Sequence, residues 1–271
     1  MEYFDAHTHV QFEAFKGEEG EVIKRAVEAR VGMNVVGTQY DTSAAAVALA
    51  EQHEGVWATI GLHPIHTSKS FHDSKELGEG NKEFASRGEQ FDSAKYGALA
   101  QSKKVVAIGE CGLDYYRLDE ATKKVQIENF VAQIELANSL GKPLMLHIRQ
   151  AYDDALEILK AHAKVRGDVH FFAGDWGVAK KFLDLGFTLS FTGVITFTHD
   201  YDEVVKNTSL DMILSETDAP YVTPVPHRGK RNEPMYIPEI VKKVAQIKGI
   251  SEDDARDQLL KNAQRVFKLS S

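Results

Sequence analysis

The sequence predicts an α/β fold of the (β/α)8 type, a TIM barrel, and three observations lead to this prediction. Short runs of β-branched and apolar residues recur eight times along the chain. Segments with helical periodicity separate most of these runs, which is typical of parallel strands joined by helices. The 271 residues also suffice for such a barrel, which typically needs about 250.

The eight predicted strands begin near the first residue and continue to residue 218. They are, in order, Tyr3–His9, Val31–Gln39, Val56–His63, Val105–Gly112, Pro143–Ile148, Asp168–Gly174, Phe187–Phe191 and Asp211–Asp218. Val, Ile and Phe are frequent in most of them, and strands favour these residues.

The predicted helices lie between these strands and after the last one. Amphipathic spacing is found in Glu120–Leu140, Ala151–Val165, Val178–Leu185 and Asp202–Thr208. Gly141 and Gly186 follow two of these segments, where glycine commonly ends a helix. Two further helices, Ile237–Lys248 and Glu252–Phe267, follow the eighth strand, and we expect the last to pack outside the barrel. An open doubly wound sheet has less support, because no G-x-G-x-x-G sequence follows an early strand.

A polar segment interrupts this alternation at residues 67–96. It is rich in Ser, Lys, Glu, Asp and Gly and lies between the third strand and its helix. We predict a surface excursion on the rim of the barrel, where the active sites of such folds form. A solvated insertion is the simpler interpretation, and a lid or substrate-selecting loop is the alternative.

The composition is typical of one globular domain, and we treat residues 1–271 as a single domain. Hydrophobic residues make up 43% of the chain and charged residues 27%. We expect a cytoplasmic protein without a membrane segment, because neither a signal sequence nor an apolar run of about 18 residues is found. The single cysteine, Cys111, fits a reducing compartment. The net charge of −8 argues against duplex binding through a broad basic face, although a local basic loop could still hold an anionic substrate.

The first predicted strand carries two histidines near its end. His7 and His9 are two residues apart, so their side chains would share one face of the strand and point into the barrel. Both could then bind one metal ion. The alternative is a pair of hydrogen-bonded core histidines, and a single H-x-H motif does not decide between them.

Four more ionisable residues follow apolar runs in the same way. They are Glu110, His147, His170 and Asp218. Buried carboxylates and imidazoles are costly unless they are paired or bound to metal, so six of them at one mouth indicate a metal site. Imidazoles combined with carboxylates are the ligands of hydrolytic Zn²⁺ or Mn²⁺ sites, which can hold two ions bridged by one carboxylate.

Seven short blocks occur in order from the first strand to the start of the last helices. They are DAHTH (5–9), IGLHP (60–64), IGECGLDYY (108–116), LMLHIR (144–149), VHFFAG (169–174), ETDAPYVTP (216–224) and RGKRNEP (228–234). In these blocks the sequence resembles the TatD family of metal-dependent deoxyribonucleases. The resemblance implies a TIM barrel of the amidohydrolase superfamily with two divalent metal ions, which would be Zn, Mn or Mg. It also implies that the chain hydrolyses phosphodiester bonds in DNA, as an exonuclease acting on single-stranded ends.

The resemblance also implies a role for each residue of the metal site. One ion would be bound by His7, His9 and Asp218, the other by His147 and His170, and both by Glu110 as a bridge. Glu110 and Asp218 would be the catalytic residues. Asp218 is the candidate general base beside the attacking water, and a role as ligand alone is the alternative.

Three further residues are candidate contacts to the substrate. His63 ends the third predicted strand, where it could touch the scissile phosphate, and a structural hydrogen bond is the alternative. Arg149 lies two residues after a proposed metal ligand and shares its face, so it could bind phosphate or form a salt bridge. Arg228 belongs, with Lys230 and Arg231, to a local positive patch in an otherwise acidic chain.

The predicted function is therefore metal-dependent hydrolysis, with DNA as the partner. An amide, lactone or small-phosphoester hydrolase on the same scaffold is the first alternative, because barrel loops change the chemistry without changing the frame. A non-catalytic binding barrel is the second. The sequence makes no prediction of the oligomeric state.

Overall fold

The computed structural model describes residues 1–72, 84–116 and 120–269. Its strands are β1 (Tyr3–Thr8), β2 (Val31–Val36), β3 (Val56–Ile60), β4 (Lys69–His72), β5 (Phe84–Arg87), β6 (Val105–Asp114), β7 (Leu144–Arg149), β8 (Gly167–Val169), β9 (Thr188–Phe191) and β10 (Ile213–Ser215). Its α-helices are α1 (Glu19–Glu28), α2 (Tyr40–Gln52), α3 (Ser93–Leu99), α4 (Glu120–Leu140), α5 (Tyr152–His162), α6 (Trp176–Asp184), α7 (Asp202–Asn207), α8 (Ile237–Lys248) and α9 (Glu252–Phe267).

Eight of the strands form one parallel sheet that curves into a nearly closed barrel. Their order in the sheet is β1-β2-β3-β6-β7-β8-β9-β10. At the seam between β10 and β1, the amide of Thr217 donates to Oδ1 of Asp5 at 2.8 Å. The amide of Asp218 donates to the carbonyl oxygen of His7 at 2.9 Å. The predicted (β/α)8 barrel is thus confirmed.

Several strands end before the residues at which the sequence pattern predicts their ends. After β3, side chains take the backbone groups that a strand would pair: Ser43 bonds to the amide and carbonyl of Gly61, and Gln133 to those of Leu62. β8 stops at Val169 and β10 at Ser215. The functional candidates that follow these strands therefore lie on the loops at the mouth of the barrel, where position depends on side-chain contacts.

The segment predicted as a surface excursion, residues 67–96, contains regular structure. β4 and β5 pair antiparallel in a small sheet of their own. The carboxylate of Asp92 accepts the amides of Ala94 and Lys95 and thereby caps the start of α3. Residues 73–83 lie outside the described residues. The segment therefore contains a pair of antiparallel strands and a helix, and both interpretations, a solvated insertion and a lid, stay predictions.

The helices pack their apolar faces against the outside of the barrel. In α8, for example, Ile237, Ile240 and Val244 are fully buried. Burial of such side chains contributes roughly 25 cal/mol per Å² of apolar surface. Across the described residues, none of the helices combines the length and the apolar character needed to cross a bilayer.

The last helix, α9, covers the amino-terminal end of the barrel. The second residues of β1, β6, β7 and β10 form a buried cluster with two residues of this helix, namely Phe4, Val106, Met145 and Leu214 with Ala263 and Phe267. The ring centroids of Phe4 and Phe267 are 5.9 Å apart. The expected position of the helix outside the barrel is confirmed, and its contacts close one end.

Candidate metal centre and active-site cavity

The carboxyl end of the barrel brings together all six residues predicted as metal ligands. They are His7, His9, Glu110, His147, His170 and Asp218. Three of them lie within β1, β6 and β7, and the other three follow the ends of β1, β8 and β10. Five of the six are buried, and His147 is partly exposed with 19% of its side chain accessible.

Two histidines and two carboxylates form a first group of donor atoms. The Nε2 atoms of His7 and His9 are 3.1 Å apart. Oδ1 of Asp218 lies 3.5 Å from Nε2 of His9, and Oε2 of Glu110 lies 3.4 Å from Nε2 of His7. Donor atoms about 2.1 Å from a tetrahedral cation are separated by about 3.4 Å. The spacing of these four atoms therefore suits one cation between them.

The other oxygen of Glu110 faces a second group. Its Oε1 atom is 3.0 Å from Nδ1 of His147, 3.0 Å from Nε2 of His170 and 3.2 Å from Nε2 of His63. The two oxygens of one carboxylate thus face two different sets of imidazoles. This arrangement allows Glu110 to bridge two cations.

The hydrogen bonds of His9 show whether this set of residues suits a cation. Nδ1 of His9 is 2.7 Å from the carbonyl oxygen of Val36, which can only accept, so Nδ1 carries the proton. In the neutral ring Nε2 then presents a lone pair toward Asp218, which is also an acceptor. Two acceptors that face each other are stabilised when a proton or a metal cation lies between them. Neutral imidazoles with carboxylates are donors that Zn²⁺ and related ions prefer, so the residues fit a divalent metal.

Asp114 belongs to this site, although the sequence pattern did not single it out. Its Oδ2 atom is 3.0 Å from Nε2 of His147, and its Oδ1 atom accepts the amide of Tyr116 at 2.9 Å. When Nε2–H of His147 donates to this carboxylate, Nδ1 is left with a lone pair that faces Glu110. Asp114 follows Glu110 by four residues in ECGLD, so strand alternation could have indicated a shared face.

Glu216 supports His170 in a similar way and was also missed. Its Oε1 atom is 3.3 Å from Nδ1 of His170 and accepts the amide of Phe171 at 2.6 Å. Its Oε2 atom lies 2.7 Å from the hydroxyl of Ser190. Glu216 precedes Asp218 by two residues in ETD, which is the signal that could have found it. The imidazole of His170 is therefore held between two carboxylates.

Burial and neighbouring imidazoles set the protonation of the two candidate catalytic carboxylates. Burial opposes ionisation of Glu110, but His63, His170 and His7 outweigh it and hold the pKa of Glu110 well below its usual range. Burial likewise opposes ionisation of Asp218, but the nearby His9, His170 and His7 outweigh it and lower the pKa of Asp218 below its usual value. Both carboxylates are therefore ionised at neutral pH.

His63, predicted as a substrate contact, lies within this group of histidines. Its Nδ1 atom accepts the amide of Ile65 at 3.1 Å, so in the neutral ring the proton is on Nε2. Burial, together with the neighbouring His147, lowers the pKa of His63 to about 4. His63 is therefore neutral at pH 7 and directs an N–H group toward Oε1 of Glu110.

A cavity of about 660 Å³ lies above the candidate metal ligands. Glu110, His147 and Asp218 are part of its lining. Its walls are rich in aromatic side chains, namely Phe12, Tyr116, Tyr152, Phe171, Tyr201 and Tyr221. The cavity therefore combines an ionisable floor with flat apolar walls.

The two arginines predicted as substrate contacts lie in different places. Arg149 lines the cavity, and its guanidinium carbon is 3.6 Å from the centroid of the Tyr116 ring. Arg228 stacks on Phe197 at 4.0 Å and donates to the carbonyl oxygen of Thr223 at 2.9 Å. In the described part of the chain, Arg228 is not among the residues that line the cavity.

The positive patch expected around Arg228 is partly neutralised by acidic residues. Arg231 pairs with Glu18 at 2.9 Å and with Glu233 at 3.3 Å. Glu233 also accepts two hydrogen bonds from Arg25, at 2.8 Å and 2.9 Å. Arg231 therefore stabilises its own loop and offers less charge to a substrate than the sequence suggests.

Comparison with known sequences agrees with the geometry. The family described as "TatD related DNase" matches residues 4–268. The chain is 35% identical over 272 residues to YabD of Bacillus subtilis strain 168, and the match covers 98% of this chain and 99% of that protein. It is 33% identical over 227 residues to YcfH of Escherichia coli K12, covering 82% and 78% of the two chains. Both relatives are described as uncharacterized metal-dependent hydrolases.

A solved structure extends this similarity to the fold. The crystal structure of YJJV, a TatD homolog from Escherichia coli K12, matches with a TM-score of 0.85 and 28% identity, and it covers 99% of each chain. The resemblance found in the seven sequence blocks is thus confirmed over nearly the whole length. The chain belongs to the TatD family and is a metal-dependent hydrolase.

Proposed function

We propose that this chain is a deoxyribonuclease that removes nucleotides from single-stranded ends of DNA. The observation that supports this proposal best is the position of Glu110 between two groups of imidazoles. Two divalent ions held about 3.5–4 Å apart are suited to phosphodiester hydrolysis, because they can stabilise both the attacking and the leaving oxygen.

The candidate ligands divide between two ions. His7, His9 and Asp218 would hold one ion, His147 and His170 would hold the other, and Glu110 would contact both. Such ions supply Lewis acidity, which favours the ionisation of water and neutralises charge on phosphoryl oxygens. Because most of the donors are imidazole nitrogens, the set favours Zn²⁺ over Mn²⁺ and Mg²⁺, which prefer oxygen ligands.

Asp218 is the proposed general base. It is ionised at neutral pH, it lines the cavity, and its backbone amide is held by the carbonyl oxygen of His7. The carboxylate is therefore fixed in position and able to accept a proton from the attacking water. Proton transfer to a positioned carboxylate contributes roughly 10²–10⁴-fold to a rate.

Two N–H donors that line the cavity would bind the scissile phosphate. Nε2–H of His63 lies at the floor, beside Glu110. The guanidinium of Arg149 lies on the wall, and its planar fork matches two phosphate oxygens. Together they would orient the phosphorus toward the water that Asp218 activates.

The size and walls of the cavity favour a strand end as the substrate. A volume of about 660 Å³ is that of a small-molecule site, and it would admit one or two unpaired nucleotides in place of a duplex. Aromatic walls suit such nucleotides, since unstacked bases gain roughly 1–3 kcal/mol each from stacking on aromatic side chains.

The test is hydrolysis of end-labelled single-stranded DNA by metal-stripped protein, with Mg²⁺, Mn²⁺ or Zn²⁺ added back. We expect stepwise shortening with at least one metal. Asp218→Asn should lower kcat by roughly 10²–10⁴-fold. The matched control is Asp153→Asn, which makes the same change at a carboxylate that is 87% exposed on α5, and it should leave the rate unchanged.

Two results would contradict parts of this proposal. If the metal-loaded protein hydrolyses acyl or small phosphoester substrates and cuts no DNA, the substrate class is wrong, and the alternative hydrolase is favoured. If circular single strands are cut as fast as linear ones, the preference for ends is wrong.

A further inference from the structure

A second cavity lies at the opposite end of the barrel from the candidate metal centre. It measures about 280 Å³. Its walls come from the residues just before β7, β8 and β9 and from the end of α9. We call it the basal cavity. None of the residues implicated in hydrolysis contributes to it within the described ranges.

Three cationic side chains line the basal cavity. They are Arg166, Arg265 and Lys268. A fourth cation, Lys142, lies between Gly141 and Pro143 in the chain, and both of these residues line the cavity. In the ranges 1–72, 84–116 and 120–269, no carboxylate oxygen lies within 4.0 Å of a side-chain nitrogen of these four residues. Unpaired positive charge thus collects in one place on a chain whose net charge is −8.

Hydrogen bonds to the backbone fix the heads of these cations. Nζ of Lys268 donates to the carbonyl oxygen of Gly141 at 3.0 Å, and Nη1 of Arg166 donates to that of Val165 at 3.1 Å. Arg265 donates to the carbonyl oxygen of Asp211. Each cation keeps further N–H groups for a ligand, because arginine has five and lysine three. Side chains that are already held in place lose less entropy when an anion binds.

We propose that the basal cavity binds a phosphate group. A phosphate carries up to two negative charges and several acceptor oxygens, which suits three clustered cations better than a halide does. The planar guanidinium groups of Arg166 and Arg265 can each donate two parallel hydrogen bonds to phosphate oxygens. A volume of about 280 Å³ suits inorganic phosphate or the phosphate end of a nucleoside monophosphate.

The test is calorimetric titration of the metal-stripped protein with inorganic phosphate at constant ionic strength, set by chloride. We expect one bound phosphate per chain. The double variant Arg166→Gln and Lys268→Gln should weaken binding at least tenfold. Lys24→Gln, which removes an exposed charge on α1, should not change it. Arg265→Gln is a second, independent variant and should also weaken binding.

A variant of the metal centre separates this site from the active-site cavity. Glu110→Gln should bind phosphate at the basal cavity as tightly as the wild type. Two results would show that the proposal is wrong. The first is that Glu110→Gln abolishes phosphate binding while the basal variants do not weaken it. The second is that the wild type binds no phosphate at about 20 mM, a value on the order of weak anion affinities.

A nucleoside monophosphate in place of phosphate identifies the source of the group. Binding of dAMP that is tighter than that of phosphate and is lost in the basal variants would indicate a nucleotide. Equal affinities would indicate inorganic phosphate. Either result supports a phosphate site, and neither depends on whether the active-site cavity hydrolyses DNA.

Discussion

The two ends of the barrel bury opposite kinds of side chain, and the same strands supply both. β1 carries Phe4 near its start and His7 near its end, and β7 carries Met145 and His147 in the same order. At the amino end the apolar residues pack against Phe267 of α9. At the carboxyl end, imidazoles and carboxylates face one another within 3–4 Å.

This difference indicates how one frame combines stability with chemistry. Burial of imidazoles and carboxylates lowers the free energy of unfolding, and burial of apolar side chains elsewhere offsets this loss. Changes at the carboxyl end should therefore affect metal binding and catalysis, whereas changes at the amino end should affect the free energy of unfolding.

The largest effect is expected from Glu110→Gln at the carboxyl end. The change removes the charge that faces both groups of imidazoles, so the protein should retain fewer divalent ions after dialysis. Hydrolysis should fall by roughly 10³-fold or more, since electrostatic stabilisation in a buried site is lost. The measurements are metal content by elemental analysis and kcat/KM. Glu128→Gln, on the solvent-exposed side of α4, is the control. A variant that kept its metals and more than a third of its activity would contradict the assignment of Glu110 to the metal centre.

The next effect is expected at the amino end, from Phe267→Ala. The ring is 1% exposed, and truncation of a buried phenylalanine costs about 3–5 kcal/mol of unfolding free energy. Denaturant unfolding of the metal-free protein measures this loss. The control is Val27→Ala, at a side chain that is 52% exposed, and it should cost less than about 0.5 kcal/mol of unfolding free energy. Metal content per folded molecule should stay the same. Loss of metal in parallel with stability would mean that the two ends are coupled.

The sequence predicted which six ionisable residues meet at the carboxyl end better than it predicted the residues that support them. The six ionisable residues could be found because each follows an apolar run, and strand alternation gives the direction of the side chain. Asp114 and Glu216 were missed because they act through contacts with imidazoles that other strands supply. Those contacts depend on where loops turn, and β8 and β10 end earlier than the apolar pattern predicts.

Tertiary pairing accounts for the other difference between the sequence and the structure. Arg231 was assigned to a substrate-facing patch because it lies close to Arg228 in the chain. Its partner Glu18 is 213 residues away in sequence, so no local pattern could indicate that the two pair. The hairpin of β4 and β5 was missed for a related reason, because each strand has only four residues and lies in a segment of polar composition.

A smaller effect is expected from Asp114, which should act on only one half of the metal centre. Asp114→Ala removes the acceptor of Nε2–H of His147 and should weaken binding of the second ion by roughly 10–100-fold. Asp114→Asn keeps an acceptor oxygen and should weaken it less. Titration of the metal-stripped protein with Zn²⁺ would resolve the two affinities. Asp153→Ala is the control, and equal weakening of both ions would contradict the assignment to His147.

The smallest effect is expected from Arg149, which lies at the mouth of the cavity and outside the metal ligands. Arg149→Met should raise KM for single-stranded DNA by roughly tenfold and leave kcat nearly unchanged, as expected for a contact made equally in the ground and transition states. Arg256→Met, on α9 at the amino end, is the control. Arg149→Lys keeps the charge but loses the planar group that stacks on Tyr116, so recovery of KM in this variant would assign the effect to charge. A fall in kcat at constant KM would instead mean that Arg149 binds the phosphate more strongly in the transition state than in the ground state.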